Sequence, residues 1–366
     1  ARKLGLRVDP DALVSSLSLG ERQQVEILRA LMRGSRCLIL DEATAMLTPH
    51  EAVALGELMR RLVEQGVAVI FITHKLNKAI AYGDRISVLR LGRKVDEIGP
   101  DTLRGASDSD TTERVISLMF GTSGLGEGVR RQRSSQNLCA VLLEVKGLNS
   151  DAGRVPVRDV SFSVKAGEIL GIAGIDGNGQ KELAEVLAGQ IPLESGSILL
   201  SGRELCSASV GERSRRGLRY VTDDRLAEGT VGIFPVATNF LLKDIGAAPF
   251  WQWGIEQPEE IRLQAERHVR AFDIRTPGTQ TPVGKLSGGN IQKVLLAREL
   301  TGAAEAVIFA KPTYGLDVNN IRSTRTRIRE VADSGKAVVL ISTDLDEVLE
   351  LADRIAVINH NHFLDI

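Results

Sequence analysis

A glycine-rich stretch at 174–182 has residue types that can bind phosphate. It follows the apolar run Ile169–Ala173 and precedes a helical pattern that begins near Glu182. In a strand–turn–helix of this kind, backbone N–H groups and the positive end of the helix face an anion. The full pattern would end in Gly-Lys-Ser or Gly-Lys-Thr, but Gln180 holds the lysine position and Lys181 the hydroxyl position. The candidate phosphate-binding residues are Gly174, Asp176, Gly177, Asn178, Gly179, Gln180 and Lys181.

This loop can still cradle phosphates through its backbone, but it lacks the lysine that reaches the terminal phosphates and the hydroxyl that holds Mg²⁺. A different path for Lys181 could replace the missing lysine. The alternative interpretation is a tight glycine-rich connection without a ligand, since the glycine spacing alone is weak evidence.

Two acids and a histidine follow apolar strands elsewhere in the chain. Asp41 and Glu42 come directly after a short apolar run, and His74 ends the next one. An acid at the carboxyl end of a buried parallel strand points into a ligand crevice. Asp41 is therefore a candidate Mg²⁺ ligand, Glu42 a candidate for orienting water, and His74 a candidate γ-phosphate contact. The alternatives are a solvated helix-capping acid pair and a structural histidine.

Two long segments of the chain align without a gap, at an offset that stays the same along their whole length. The matched pairs include Leu17 and Leu286, Asp41 and Ala310, Glu42 and Lys311, His74 and Thr343, and Asp84-Arg85 and Asp353-Arg354. A repeat of this length predicts two copies of one domain. Because the acids and the histidine are not kept in the second copy, the two copies cannot do the same chemistry.

A short Leu-Ser pentapeptide precedes a predicted helix in both copies. A serine with backbone amides at a helix N-terminus makes an anion site, although a plain serine cap is the alternative. The candidate residues of these two segments are Ser18 and Gly20 in the first copy, and Ser287, Gly288, Gly289 and Asn290 in the second.

Apolar periodicity predicts the elements that must position these residues. Helices are expected over 20–32 and 49–64, and buried strands over 37–40 and 67–72. Cys37 is expected to be a small buried hydrophobe. A continuously apolar strand is typical of a parallel sheet covered on both faces. Alternating helices and strands predict a doubly wound α/β core.

Composition argues against several other classes of protein. The 366-residue chain is long enough for two domains, and its formal net charge of −1 provides no basic field for nucleic acid. The three cysteines have neither metal nor disulfide spacing, and the printed sequence shows neither a signal-peptide pattern nor an apolar run of membrane-spanning length. Residues 101–140 are polar, glycine-rich and basic in turn, and we expect a linker there. A new domain is expected from 141 onward.

The chain resembles the ATP-binding subunits of ABC transporters. The two pentapeptides, 17–21 and 286–290, match the signature motif. The other matching segments are Leu38–Thr44 (Walker B), Thr48 (D-loop), His74 (switch histidine), 174–182 (degenerate Walker A) and Tyr220–Arg225 (Q-loop region). Gln23-Gln24, Leu47-Thr48-Pro49, Asp223-Asp224-Arg225 and the defective second loop are similar to a subgroup that fuses two ATPase domains and serves importers of ribose, other simple sugars and nucleosides. The chain departs from the family at Thr222, at Lys311 and at Ala43, which stands for the usual Walker B proline.

The resemblance implies tandem P-loop ATPase domains, each a mostly parallel sheet with flanking helices. The second copy would add an antiparallel β subdomain and a helical subdomain. Residues 1–100 would be the C-terminal part of the first domain, 101–140 the linker and 141–366 a second, degenerate domain. ATP and Mg²⁺ are the implied cofactors. The implied partners are a polytopic permease at the cytoplasmic face of the inner membrane and, indirectly, an extracytoplasmic solute-binding protein, with no nucleic acid.

In this family the two ATPase domains pair, and each ATP lies between the Walker A of one and the signature of the other. The resemblance therefore implies a competent site that joins Asp41, Glu42 and His74 to Ser287–Asn290. In the second copy the loop at Gly174 lies far upstream of Leu286, whereas Leu17 lies too near the first printed residue to leave room for an equivalent loop. We therefore expect the first copy's phosphate loop upstream of Ala1, and no significant ATP hydrolysis by these 366 residues alone. The alternative functions are a non-catalytic remnant of such a subunit and a soluble tandem factor acting on ribosomes or DNA.

Overall fold

The computed structural model describes residues 10–14, 19–41, 43, 49–73, 76–90, 92–105, 107, 110–111, 114–115, 117–118, 140–174, 177–359 and 362–364. The chain divides into two compact units, an N-terminal unit of residues 1–132 and a C-terminal unit of residues 133–366. Within the described residues, no helix combines the length and the apolar character needed to cross a bilayer.

The described part of the N-terminal unit alternates helices with short strands. In chain order these are α1 (Leu19–Met32), β1 (Cys37–Asp41), α2 (Pro49–Glu64), β2 (Ala68–Ile72), α3 (Leu76–Tyr82), β3 (Ile86–Arg90), β4 (Arg93–Ile98) and α4 (Pro100–Gly105). Strands β1 and β2 pair in parallel, and β3 and β4 form an antiparallel hairpin. The helices and strands predicted from periodicity are confirmed to within one or two residues at each end.

The C-terminal unit is larger and mixes parallel and antiparallel sheets. Its strands are β5 (Val141–Ser150), β6 (Val157–Lys165), β7 (Ile169–Ala173), β8 (Ser195–Leu200), β9 (Arg203–Glu204), β10 (Leu218–Val221), β11 (Trp251–Gln252), β12 (Ile255–Glu256), β13 (Ala306–Ala310), β14 (Ala337–Ser342), β15 (Arg354–Asn359) and β16 (His362–Leu364). Its helices are α5 (Gln180–Ala188), α6 (Val210–Arg215), α7 (Val236–Leu241), α8 (Pro258–Ala271), α9 (Gly288–Leu300), α10 (Val318–Asp333) and α11 (Leu345–Leu351), with a π-helical turn at Arg225–Gly229 and a 3₁₀ turn at Val283–Lys285.

A six-stranded sheet forms the centre of this unit, with the strand order β10-β13-β14-β7-β15-β16. The first five strands are parallel, and β16 returns antiparallel to β15. A separate antiparallel sheet has the order β6-β5-β8-β9. Because parallel strands end at the same edge of a sheet, the residues that follow β7, β10, β13 and β14 share one edge.

The internal repeat is visible in the strand register. Cys37 pairs with Ala68 in the N-terminal unit, and Ala306 pairs with Ala337 in the C-terminal unit. Ala306 follows Cys37, and Ala337 follows Ala68, by the same number of residues that separates the two copies in the sequence. Helices α1, α2 and α3 correspond in the same way to α9, α10 and α11. The duplication therefore includes local structure as well as sequence.

The central sheet of the C-terminal unit is covered on both faces. Leu183 and Leu187 of α5 pack in one cluster with residues such as Ile308, and helices α9, α10 and α11 cover the other face around Phe309. All five residues of β7 and of β13, and all six of β14, are buried. A third cluster joins α7, α8 and α9 into a helical layer.

Within the described residues, the matched sheet of the N-terminal unit is covered on one face only. Leu38 and Leu40 pack against α1 and α2, whereas Ile39 and Ile70 are 63% and 50% exposed. The prediction of fully buried strands over 37–40 and 67–72 is therefore wrong, and so is the prediction that Cys37 is buried, since it lies on the exposed face. Successive residues of a strand point to opposite faces, so covering one face buries only every second residue.

The stretch predicted as a linker begins with a helix, α4. Val115 lies farther along the same stretch, and it packs in a small cluster with Val88 and Ile98 of the β3–β4 hairpin. The N-terminal unit therefore extends its apolar contacts beyond residue 100. Residues 119–139 lie outside the described part of the chain.

Candidate phosphate-binding site

The glycine-rich loop connects the buried strand β7 to α5, as predicted. A Cβ at Gly174 would lie 2.7 Å from the carbonyl oxygen of Ile358, so no larger residue fits there. Gly177 and Gly179 have φ angles of 89° and 93°, in the left-handed region that strongly favours glycine. The glycines at these positions are thus required by the turn itself. Asp176 lies outside the described residues.

Gln180 folds back onto the loop it belongs to. Its side-chain oxygen Oε1 accepts a hydrogen bond of 3.1 Å from the backbone N–H of Asn178, and the residue is only 2% exposed. Gln180 is uncharged, and its buried side chain provides no ammonium group to reach a terminal phosphate. The side-chain amide of Gln180 thus accepts the hydrogen bond of a backbone N–H. In a phosphate-binding loop, an N–H of this kind donates to the phosphate.

Lys181 extends from the first turn of α5 toward the segment after β10. Its ammonium nitrogen lies 2.6 Å from Oε1 of Glu228 and 3.7 Å from Oε1 of Glu185. The hydrogen bond that it donates to Glu228 raises the pKa of Lys181 above its ordinary value, so this side chain stays charged at neutral pH. Glu228 is fixed in turn by Thr222, whose hydroxyl donates to its other oxygen over 2.7 Å.

The residues after β13 bring a second ammonium group to the same region. Ala310 ends the strand, and Lys311 follows it with a φ of 41° and a backbone N–H that donates to the carbonyl of Ile341. The ammonium nitrogen of Lys311 lies 3.8 Å from Oδ2 of Asp223. A methyl group and an ammonium group therefore occupy the two positions that carry Asp41 and Glu42 in the other copy.

The Leu-Ser segment of the C-terminal unit starts helix α9, with Ser287 at the N-cap position. The serine hydroxyl does not cap the helix backbone. It accepts a hydrogen bond of 2.9 Å from the side-chain amide of Asn290, whose own oxygen accepts from the N–H of Arg275. Gly288 is exposed, whereas a Cβ at Gly289 would lie 2.1 Å from the side chain of Asn320. The simple serine-cap interpretation thus does not describe this segment.

In the N-terminal unit, Asp41 is the last residue of β1 and is exposed. A solvent-accessible carboxylate at the carboxyl end of a parallel strand suits a hard cation such as Mg²⁺. Gly20 lies in the first turn of α1. Ser18, Glu42 and His74 lie outside the described residues, so their roles stay predictions from the sequence.

Sequence reasoning did not foresee the contacts that tie this region together. Arg225 donates from Nε to the side-chain oxygen of Gln292 over 2.8 Å and from its terminal nitrogen to the carbonyl of Tyr314. It therefore links the π-helical turn to helix α9 and to the segment after β13. The Lys181–Glu228 and Lys311–Asp223 pairs are also not evident from the sequence, because the partners in each pair are separated by tens of residues in the chain.

Comparisons with known proteins identify the family of this chain. A family model described as ABC transporter matches residues 1–45 and 157–314. A nucleoside import ATP-binding protein of Lactococcus lactis subsp. cremoris is 38% identical over 98% of this chain and 69% of its own length. A glucose import ATP-binding protein of Haloferax volcanii is 39% identical over 98% of this chain and 64% of its own length. The chain thus spans about two thirds of each relative.

Among solved structures, a nucleotide-free ATP-binding cassette from an ABC transporter superimposes with a TM-score of 0.53 and 19% identity. The match covers 62% of this chain and 90% of that one, and it supports the fold alone. The parallel sheet, the antiparallel strands and the glycine-rich loop thus define an ATP-binding cassette fold. The chain belongs to the ABC transporter family and is similar to ATP-binding proteins of sugar and nucleoside import.

Proposed function

We propose that this chain is part of the ATP-hydrolysing subunit of an importer for nucleosides or simple sugars. The proposal rests on one contrast within the duplicated fold. Asp41 ends β1 in the N-terminal unit, and Ala310 ends the matched β13 in the C-terminal unit. The names of the relatives support the transport role and its two substrate classes.

The three predicted residues of the N-terminal unit have distinct tasks in this proposal. Mg²⁺, when bound, neutralises charge on the phosphate oxygens. Asp41 would hold that ion, Glu42 would orient the attacking water and take its proton, and His74 would hydrogen-bond the γ-phosphate. The C-terminal unit would bind nucleotide without hydrolysing it, because Ala310 and Lys311 provide no carboxylate to hold the ion or to take the proton of water, and Thr343 provides no imidazole.

The proposal also includes the partners that the family implies. The chain would act at the cytoplasmic face of the inner membrane, on permease subunits supplied by a solute-binding protein. The pairing of two ATPase domains in one chain stays a prediction. Co-purification of the tagged protein with a polytopic membrane protein would support this assignment, and co-purification with ribosomes would contradict it.

The catalytic assignment can be tested with variants at matched positions of the two copies. We expect Glu42→Gln and His74→Ala to lower ATP turnover by about 10²-fold or more in the full-length protein with its permease, because each removes a group that acts on the reacting atoms. Thr343→Ala, at the position that matches His74, should change turnover less than two-fold. Equal losses in His74→Ala and Thr343→Ala would contradict the asymmetric assignment.

A further inference from the structure

Two ammonium groups, of Lys181 and Lys311, and three carboxylates lie where phosphate chemistry is expected in the C-terminal unit. Lys311 and Asp223 approach to 3.8 Å, and their side chains are only 15% and 20% exposed. Lys181 and Glu228 approach to 2.6 Å, and their side chains are 43% and 28% exposed. Lys181 also lies 3.7 Å from Glu185, and the negative charge of Asp223 acts on it, so the five groups form one electrostatic cluster.

This cluster does not fit Mg²⁺. The ion requires oxygen ligands in near-octahedral geometry and is held by carboxylates, hydroxyls and phosphates. Ala310 has no donor atom, Lys181 replaces the hydroxyl, and Lys311 places a positive charge where the other copy carries Glu42. Across the described ranges, no group of three or more His, Cys, Asp or Glu side chains converges in a way that could hold a metal ion.

The two lysines of this cluster suit an anion. Lysine ammonium groups bind phosphate as point charges, and two of them can provide the positive charge that a divalent ion gives elsewhere. The Lys181–Glu228 pair is partly open to solvent, and such pairs contribute little to stability. A phosphate oxygen can therefore replace Glu228 at the ammonium of Lys181 at low cost.

We propose that the phosphate loop of the C-terminal unit binds nucleotide without a divalent cation, with Lys181 exchanging Glu228 for a phosphate oxygen and Lys311 providing the second positive charge. The inference rests on the proposed function only in that the ligand of the loop is a nucleotide. Glu228 lies in the π-helical turn that Arg225 joins to α9. The exchange thus releases one contact of that turn.

The experiment uses the full-length protein with a fluorescent ATP analogue, titrated in EDTA and in Mg²⁺. An acyl-phosphate derivative of ATP, which acylates amines beside its terminal phosphate, locates the site by mass spectrometry. We expect acylation of Lys181 or Lys311 in EDTA, suppressed by excess ATP. The affinity of this site should differ less than two-fold between EDTA and Mg²⁺.

Single substitutions test the contribution of each lysine and of the carboxylate Glu228 separately. Lys181→Met and Lys311→Met should each weaken metal-free binding about ten-fold, whereas Glu228→Gln should strengthen it up to about five-fold, the range of an exposed ion pair. Lys146 and Glu144 form a matched control pair, with an N–O distance of 2.8 Å on the exposed part of β5. Lys146→Met and Glu144→Gln should leave binding unchanged. Circular dichroism checks that each variant is folded.

Two results would overturn the inference. One is binding at this loop that needs Mg²⁺, and the other is failure of both the wild type and Glu228→Gln to bind or be acylated in EDTA. Neither result affects hydrolysis assigned to Glu42, so the proposed function would stand. Conversely, turnover that persists in Glu42→Gln would contradict the proposed function and leave metal-free binding at this loop unaffected.

Discussion

At the scale of single residues, Gln180 takes the position of the phosphate-loop lysine, and its side chain accepts a hydrogen bond from the loop backbone. The absence of a phosphate-loop lysine at position 180 is evident from the spacing of the glycines. The closure of the Gln180 side chain onto the N–H of Asn178 is not, because it depends on burial beside Gly174. The Lys181–Glu228 pair is equally hidden, since its partners lie far apart in the chain and meet only after folding.

A buried carboxylate near the edge of the central sheet where β13 and β14 end leads to a prediction about how stability depends on pH. Glu347 is fully buried and accepts hydrogen bonds of 2.7 Å from Thr313 and Ser342. Burial raises its pKa above the ordinary value of 4.5, although the two hydroxyls and Arg325 oppose that shift. A folded-state pKa above the unfolded one means that stability is present at low pH and lost as pH rises through the folded pKa.

We therefore expect Glu347→Gln to become more stable relative to the wild type as the pH rises from about 4.5 to 8. Each unit of pKa elevation corresponds to about 1.4 kcal/mol. Urea unfolding of both proteins across this range measures the difference. Asp346→Asn, an exposed change on the same helix α11, should show no such trend. A difference that is flat with pH, or that falls, would contradict the prediction.

At the scale of elements, periodicity predicts the type of element better than its surroundings. Helices α1 and α2 and strands β1, β2 and β7 appear where the pattern places them. The pattern does not predict how many faces of β1 and β2 are covered, because a fully apolar run fits a sheet that is covered on one face or on both. In the C-terminal unit, α5 covers the face that is exposed in the N-terminal unit.

The duplicated strands provide a matched pair of core substitutions. Ile308 is 0% exposed in β13, and Ile39 occupies the same position in β1 at 63% exposure. Ile308→Ala should lower the free energy of unfolding by about 2–5 kcal/mol, through lost burial and a residual cavity. Ile39→Ala should cost less than about 1 kcal/mol. Equal costs, measured by denaturant titration, would show that the exposed face is covered in solution.

At the scale of the whole molecule, the repeat predicts two related units with different chemistry. The fold and the relatives show the family. The altered residues of the C-terminal unit are the basis of the division of labour that we propose. What the sequence leaves undetermined is stability. The described core of the N-terminal unit is a two-stranded sheet covered on one face, whereas the C-terminal unit buries a six-stranded sheet on both.

Because stability follows buried apolar area, we expect the N-terminal unit to unfold at a lower urea concentration than the C-terminal unit. Both tryptophans of the chain, Trp251 and Trp253, lie in the C-terminal unit. Tryptophan fluorescence thus reports that unit alone, whereas far-ultraviolet circular dichroism reports helices of both. Loss of ellipticity should begin before the fluorescence transition. Coincident curves from the two probes would mean that the chain unfolds as one cooperative unit, which would contradict this expectation.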